Sequence, residues 1–194
     1  MTADFKRWTV AIVGGSLAGL ATATELSRVT NADITVFEQT AGRLEGRGAG
    51  IVMQPEIERL LSISGIQPAT VSVPLRERQL LHLHSPPRIF PQPQTMTAWD
   101  TLYRALRSAL RGVDYRRGIE VAAVTPGEQG ATLTFPDGST STWRIVIGAD
   151  GIGSTVRQSV SPAQPEYSGY VAWRGLEKRM RLPGRHHERI DRPV

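Results

Sequence analysis

An α/β fold is predicted, with a parallel sheet opened by a βαβ unit, an antiparallel meander following it, and the first strands of a further sheet. Three observations carry this. A short β-branched run at residues 9–13 leads through a glycine-rich turn into an Ala-, Leu- and Glu-rich stretch at 20–29, and a second β-rich run follows at 33–37. Short strand-like segments then recur around Pro136-Asp137-Gly138. Finally Ile145-Val146-Ile147 is continuous and apolar, as a strand covered on both faces should be.

The first unit, strand 9–13, helix 20–29 and strand 33–37, requires a right-handed crossover and parallel strands. Residues 39–50 hold four glycines in twelve positions and read as a functional loop, since such a stretch holds no regular structure without a ligand or neighbour. At 55–64 helical spacing resumes, with Ile57, Leu60 and Leu61 on one face. Residues 80–90 alternate, Leu81 and Leu83 against His82 and His84, before Pro86-Pro87, and predict a hairpin or pair of edge strands. Residues 91–94 read as a linker. Thr97 or Asp100 then caps a helix whose apolar positions are Leu102, Leu106 and Leu110, with Arg104, Arg107 and Arg111 facing out or binding anions. Strands are expected at 119–124, 131–135 and 141–147, the last ending in Gly148-Ala149-Asp150-Gly151.

The chain has 194 residues, 40% of them hydrophobic, which suits a globular core rather than disorder. It contains no cysteine, which excludes disulfides, zinc ribbons and thiol catalysis. No run of about 18 apolar residues occurs, and the first eight residues carry no signal-like apolar segment, so a cytoplasmic protein without membrane attachment is expected. The net charge of +5 is concentrated at the end: residues 176–194 hold six Lys/Arg against three acids. The other arginines are scattered and aromatic interleaving is sparse, which argues against nucleic acid as a partner.

The motif Gly14-Gly15-Ser16-Leu17-Ala18-Gly19 follows a strand, opens a helix, and precedes Glu38 by nineteen residues. That context fits a dinucleotide site. Gly14 permits the tight turn, Gly19 lets the helix approach the strand, and the helix N-terminus offers N–H groups to a pyrophosphate. Glu38 can accept from a ribose hydroxyl and repels a 2′-phosphate, which points to the adenosine of FAD or NAD. Ser16 stands where a middle glycine is usual and offers a hydroxyl. The competing reading is a glycine-rich βα turn with no cofactor. Asp150, at the carboxyl end of a parallel strand, either faces the ligand crevice or caps the next helix. Arg157 either pairs with it or is solvated. His82 and His84 would share a strand face without a third ligand, so no metal is expected. Tyr170, Trp173 and Arg174 either line a substrate sheet or belong to a core.

Four segments in this order give a more specific resemblance: residues 13–20; Gly48-Ala49-Gly50-Ile51-Val52-Met53-Gln54-Pro55-Glu56; Ile147-Gly148-Ala149-Asp150-Gly151 through Ser154 to Val156-Arg157; and residues 167–175. Together they resemble the class A FAD-dependent monooxygenases, the aromatic-ring hydroxylases, and within them the 2,6-dihydroxypyridine hydroxylase group. The resemblance implies a Rossmann-like FAD-binding domain joined to the first strands of a substrate domain. The expected division is 1–70 for the FAD-binding part, 71–96 for substrate-side strands, 97–160 for the return to the FAD-binding part, and 161–194 for the start of the substrate domain with a basic tail.

On this reading Gly14, Gly15, Ser16, Leu17, Ala18, Gly19, Glu38, Gly50, Ile51, Val52, Arg104 and Asp150 are the cofactor residues. NAD(P)H is the co-substrate, and O2 supplies the oxygen passed to a hydroxylated aromatic or N-heteroaromatic ring; the cofactor carries the chemistry. Two departures accompany the resemblance. Trp99 stands where the family carries an Arg, a role left to Arg104 or Arg107, and Gln39 replaces the Arg that commonly follows the ribose acid. Residues 176–194 show no regular period and read as a frame-shifted or truncated tail. The alternatives are a truncated, non-catalytic flavin-binding remnant that self-associates through an exposed face, or an NAD-dependent dehydrogenase, which leaves the Gly50 and Asp150 segments unexplained.

Overall fold

Alternation on the first strand sets the layers. In a computed structural model, which describes residues 8–42, 44, 50–80, 82 and 84–171, strand β1 (Thr9–Val13) sends Val10 and Ile12 to one face of its sheet and Ala11 and Val13 to the other. Both sets are buried because β1 is interior: the parallel sheet has the order β10-β1-β2-β6, formed with β2 (Asp33–Glu38), β6 (Val113–Arg117) and β10 (Ile145–Gly148). An interior parallel strand must be apolar on both sides.

Helix α1 (Leu17–Val29) covers the Val10 and Ile12 face through Ala23 and Leu26. Its other side, with Leu20, meets Leu61 of α2 (Pro55–Ile63) and Leu102, Tyr103 and Leu106 of α3 (Trp99–Ala109). The opposite face of the sheet is covered by an antiparallel meander of β7 (Ala123–Gly127), β8 (Gly130–Thr134) and β9 (Thr140–Trp143). Leu133, Phe135 and Trp143 pack there on Ala11, Val13 and Phe37, and Phe37 meets Trp143 edge-on at 5.6 Å between ring centroids. A third sheet joins β3 (Gly50–Val52) to β5 (Arg88–Ala98) and β5 to β4 (Val73–Leu80), all antiparallel.

Several expectations are corrected. Residues 91–94 are not a linker but lie inside β5. Pro91 and Pro93 are tolerated because β3 reaches only Met96 to Ala98, so that among the described residues one edge of β5 has no partner there, and because the register with β4 shifts between Leu75 and Glu77 opposite them. The strands of this hairpin flank the alternating segment, so His82 and His84 sit in the connection, not on a strand face. Helix α3 is preceded by Ala98, with no side-chain cap; Thr97 instead lies within β5, one residue before its end, and donates its hydroxyl to the Val71 carbonyl at 2.5 Å.

The expected strand at 119–124 begins later, at Ala123, and β6 was not anticipated. At the edge of its sheet among the described residues, β6 turns Val113 and Tyr115 toward the core, while Asp114 and Arg116 pair at 2.7 Å with both side chains about half exposed, so its apolar signal is weak. The expected strand 141–147 is two strands of different sheets, broken at Arg144, whose N–H donates to Thr9 Oγ1 at 3.1 Å. Ile145, Val146 and Ile147 reach both flanking clusters but stay half-buried, since among the described residues β10 is the edge of its sheet.

Candidate cofactor site

Neighbouring parallel strands end at one edge of the sheet and hold each other there. The Gly14 N–H donates to the Phe37 carbonyl at 2.8 Å, the Ala149 N–H to the Val13 carbonyl at 2.7 Å, and the Ile119 N–H to the Glu38 carbonyl at 3.1 Å. Gly14 has φ of +102°, and a Cβ on it would lie 2.2 Å from the Ala149 carbonyl oxygen. Only glycine fits where the two turns touch. A Cβ on Gly19 would lie 1.9 Å from the Gly14 carbonyl oxygen, so the expected close approach of helix and turn is present.

Ser16 is the N-cap of α1, yet its side chain makes no capping bond, and the first turn of the helix contains no acid. The amides at that end have no intrahelical partner and carry the positive pole of a 13-residue helix. Beside them Glu38 is only 6% exposed. Its Oε2 accepts from the Gly15 N–H at 2.9 Å and its Oε1 from the Thr40 N–H at 2.8 Å. A carboxylate offers about four acceptor positions, and among the described residues two of them are taken. The sequence suggested Glu38 as a ligand residue; the structure adds that it also braces the glycine turn.

A cavity of about 620 Å³ opens at this edge, lined by Gly14, Ser16, Ala18, Glu38 and Asp150 among the expected residues. Gln39, Leu44, Trp99 and Val121 also line it. Leu17 instead packs into the helix-side core, and Gly19 is buried. Gly50, Ile51, Val52 and Arg104 are not part of the lining. Arg104 is exposed, with Nε donating to the Asp100 carbonyl, and β3 approaches the site through its pairing of Gly50 with Ala98, next to Trp99, and through Ile51, packed on the core cluster of Leu44. Gly48, Ala49, Trp173, Arg174 and residues 176–194 lie outside the described residues. Tyr170 is 72% exposed and belongs to no described core.

Asp150 does cap the next helix. Its Oδ2 accepts from the Thr155 and Val156 N–H groups at 2.8 and 3.2 Å, and its Oδ1 from the Ser154 hydroxyl at 2.5 Å. Arg157 neither pairs with it nor is simply solvated; its guanidinium donates to the Ile152 carbonyl at 2.7 Å. Among the described residues no cluster of three or more metal-ligating side chains occurs.

Trp99 entered the sequence reading only as a departure from the family's Arg, and Tyr115 did not enter it. Trp99 stacks on Tyr103, ring centroids 5.0 Å apart and planes 7° from parallel, and faces the cavity; its aromatic character at the start of an amphipathic helix was the available signal. Tyr115 donates its hydroxyl to the Gly15 carbonyl at 2.7 Å across 100 residues of sequence, and nothing local announces it. Burial pushes its phenol well above the ordinary range; the Tyr103 hydroxyl and the Glu38 charge add to this and Arg107 opposes it.

The donor set suits an elongated ligand with an anionic centre and a hydroxylated sugar: free helix amides, a partly satisfied carboxylate and an aromatic wall share one cavity. Comparison with known proteins agrees. A family model described as FAD binding domain matches residues 7–182. The chain is 32% identical over 169 residues to 2,6-dihydroxypyridine 3-monooxygenase of Paenarthrobacter nicotinovorans, covering 86% of this chain and 42% of that protein. It is 32% identical over 181 residues to 3-amino-4-hydroxybenzoate 2-monooxygenase of Streptomyces cremeus, covering 86% and 45%. Among solved structures, 2,6-dihydroxypyridine-3-hydroxylase from Arthrobacter nicotinovorans superposes with a TM-score of 0.73 at 29% identity, over 83% of this chain and 41% of that one. The chain thus spans less than half the length of these relatives.

Proposed function

The chain belongs to the FAD-binding-domain family, and from that premise we propose that it forms the cofactor-binding part of a monooxygenase that hydroxylates an electron-rich, hydroxylated aromatic or N-heteroaromatic ring. The observation that carries the reading is the glycine turn: uncapped α1 amides open onto the same cavity as the buried carboxylate of Glu38. The relatives named for hydroxypyridine and aminohydroxybenzoate oxidation support the substrate class.

The amides of Ser16, Leu17 and Ala18 would take the pyrophosphate of FAD, and Glu38 would accept from the ribose of its adenosine. Gly14, Gly15 and Gly19 hold that turn in shape. Asp150 contributes by shaping the wall of the same crevice that Ser16 lines. The pairing of Gly50 with Ala98, adjacent to Trp99, supports placing Gly50, Ile51 and Val52 beside the flavin end; exposed Arg104 receives no comparable support. Bound FAD supplies the redox chemistry, with NAD(P)H as reductant and O2 as oxygen source. Residues 1–70 and 97–160 serve the cofactor in this scheme, and 71–96 and 161–194 the substrate side.

The test is the absorbance spectrum of the purified chain after gel filtration with FAD, using Glu38→Ala as control. Flavin bands that travel with wild-type protein and weaken in the variant support the reading. Retention of NAD with no flavin would favour a dehydrogenase instead. The same elution position reports self-association, which the exposed Val73, Leu75, Leu80 and Ile89 of β4 and β5 favour.

A further inference from the structure

Gly15 is gripped on both its polar groups by side chains from neighbouring strands. Its N–H donates to Glu38 at the tip of β2, and its carbonyl accepts from Tyr115 of β6. The two grips share one frame, because β2 and β6 pair in register, Val36 with Tyr115 and Glu38 with Arg117. The fit is tight: a Cβ on Gly15 would lie 2.2 Å from the Tyr115 hydroxyl oxygen and 2.8 Å from Glu38 Cβ.

Tyr115 is itself held. The Arg107 guanidinium lies over its ring, 4.1 Å from the centroid, and the Tyr103 hydroxyl is 3.2 Å from its own. In a planar trans peptide the N–H points opposite to the C=O. Anchoring the Gly15 carbonyl on Tyr115 therefore turns the Ser16 N–H away from β6, and Ser16 lines the cavity. A phenol is protonated near neutrality, and burial favours that form further, so Tyr115 remains a donor there.

We propose that Tyr115 is a positioning residue for diphosphate binding: its hydroxyl fixes the Gly15–Ser16 peptide so that the opening amides of α1 meet the anion, and Arg107 keeps its ring in place. The inference rests on the FAD reading above and deepens it.

The experiment is calorimetric titration of ADP and of adenosine into the full chain and into Tyr115→Phe, below the unfolding temperature, with the midpoint of thermal unfolding recorded for each protein. Deleting the hydroxyl while retaining the ring should weaken ADP roughly tenfold and leave adenosine unchanged, as expected for a buried carbonyl that loses its donor and reorients. A merely structural loss would lower both ligands together; an unchanged ADP-to-adenosine ratio overturns the proposal even if the unfolding midpoint falls. Tyr103→Phe leaves the Tyr115–Gly15 bond intact and should keep the wild-type ratio. If it lowers the ratio as far as Tyr115→Phe does, the Gly15 contact is not the cause and the proposal falls. Wild-type chain that binds neither FAD nor ADP overturns the cofactor reading and this inference with it, whereas wild-type binding with an unaffected variant overturns this inference alone.

Discussion

Strands β1 and β10 run side by side and parallel, and each ends in a glycine-bearing turn that opens a helix. At the tip of β1 the N-cap Ser16 makes no side-chain bond, and α1 begins with its amides unclaimed and no acid in its first turn. At the tip of β10 the turn closes on itself. Asp150 takes the Thr155 and Val156 amides and the Ser154 hydroxyl, and Ser154 accepts from the Arg157 N–H at 2.9 Å. Equivalent places in one sheet thus have opposite electrostatic character: a long helix whose positive pole has no side-chain cap, and a four-residue helix neutralised by its own carboxylate. Position at the carboxyl edge of a parallel sheet is therefore not enough to make an anion site. The cap must also be missing.

Breaking the contact between the turns should have the largest effect. Gly14→Ala forces a side chain into a backbone of φ +102° and onto the Ala149 carbonyl; it should destabilise the chain by about 3–5 kcal/mol in urea unfolding and abolish FAD retention. Next, Asp150→Ala strands three donors at the start of the four-residue helix α4 (Thr155–Gln158) and should cost about 2 kcal/mol of stability. FAD affinity should fall with it, since Asp150 lines the cavity; a variant that loses stability but keeps wild-type affinity in the same titration assigns the carboxylate to α4 alone. The smallest effect sharpens the comparison most. Ser154→Ala removes a working cap and should cost about 1 kcal/mol, whereas Ser16→Ala removes none and should change stability by less than about 0.5 kcal/mol. Equal losses at the two serines in chemical denaturation would erase the distinction drawn here.

Much of the site was legible because its signals are short-range. The turn from Gly14 to Gly19, the apolar run of β1 and the placement of Glu38 at the end of β2 all lie within one βαβ unit, whose chain order leaves little freedom of geometry. The errors fall where neighbours in space, not in sequence, decide. Pro91 and Pro93 read as a break because the open edge and shifted register of β5 are invisible locally. The strand β6 was missed because an edge strand with two inward side chains carries little periodicity.

By itself, then, the sequence determined the α/β class, the glycine turn that opens α1 and the acid beside it, since backbone sterics at glycine and the two-residue period of strands act on adjacent residues. Only the tertiary structure decided which amides stay open and which are capped, and that Tyr115 reaches Gly15 from 100 residues away. Those outcomes depend on the register of β6 against β2 and of β10 against β1, and register is settled by packing both faces of the sheet at once rather than by any local run of residues.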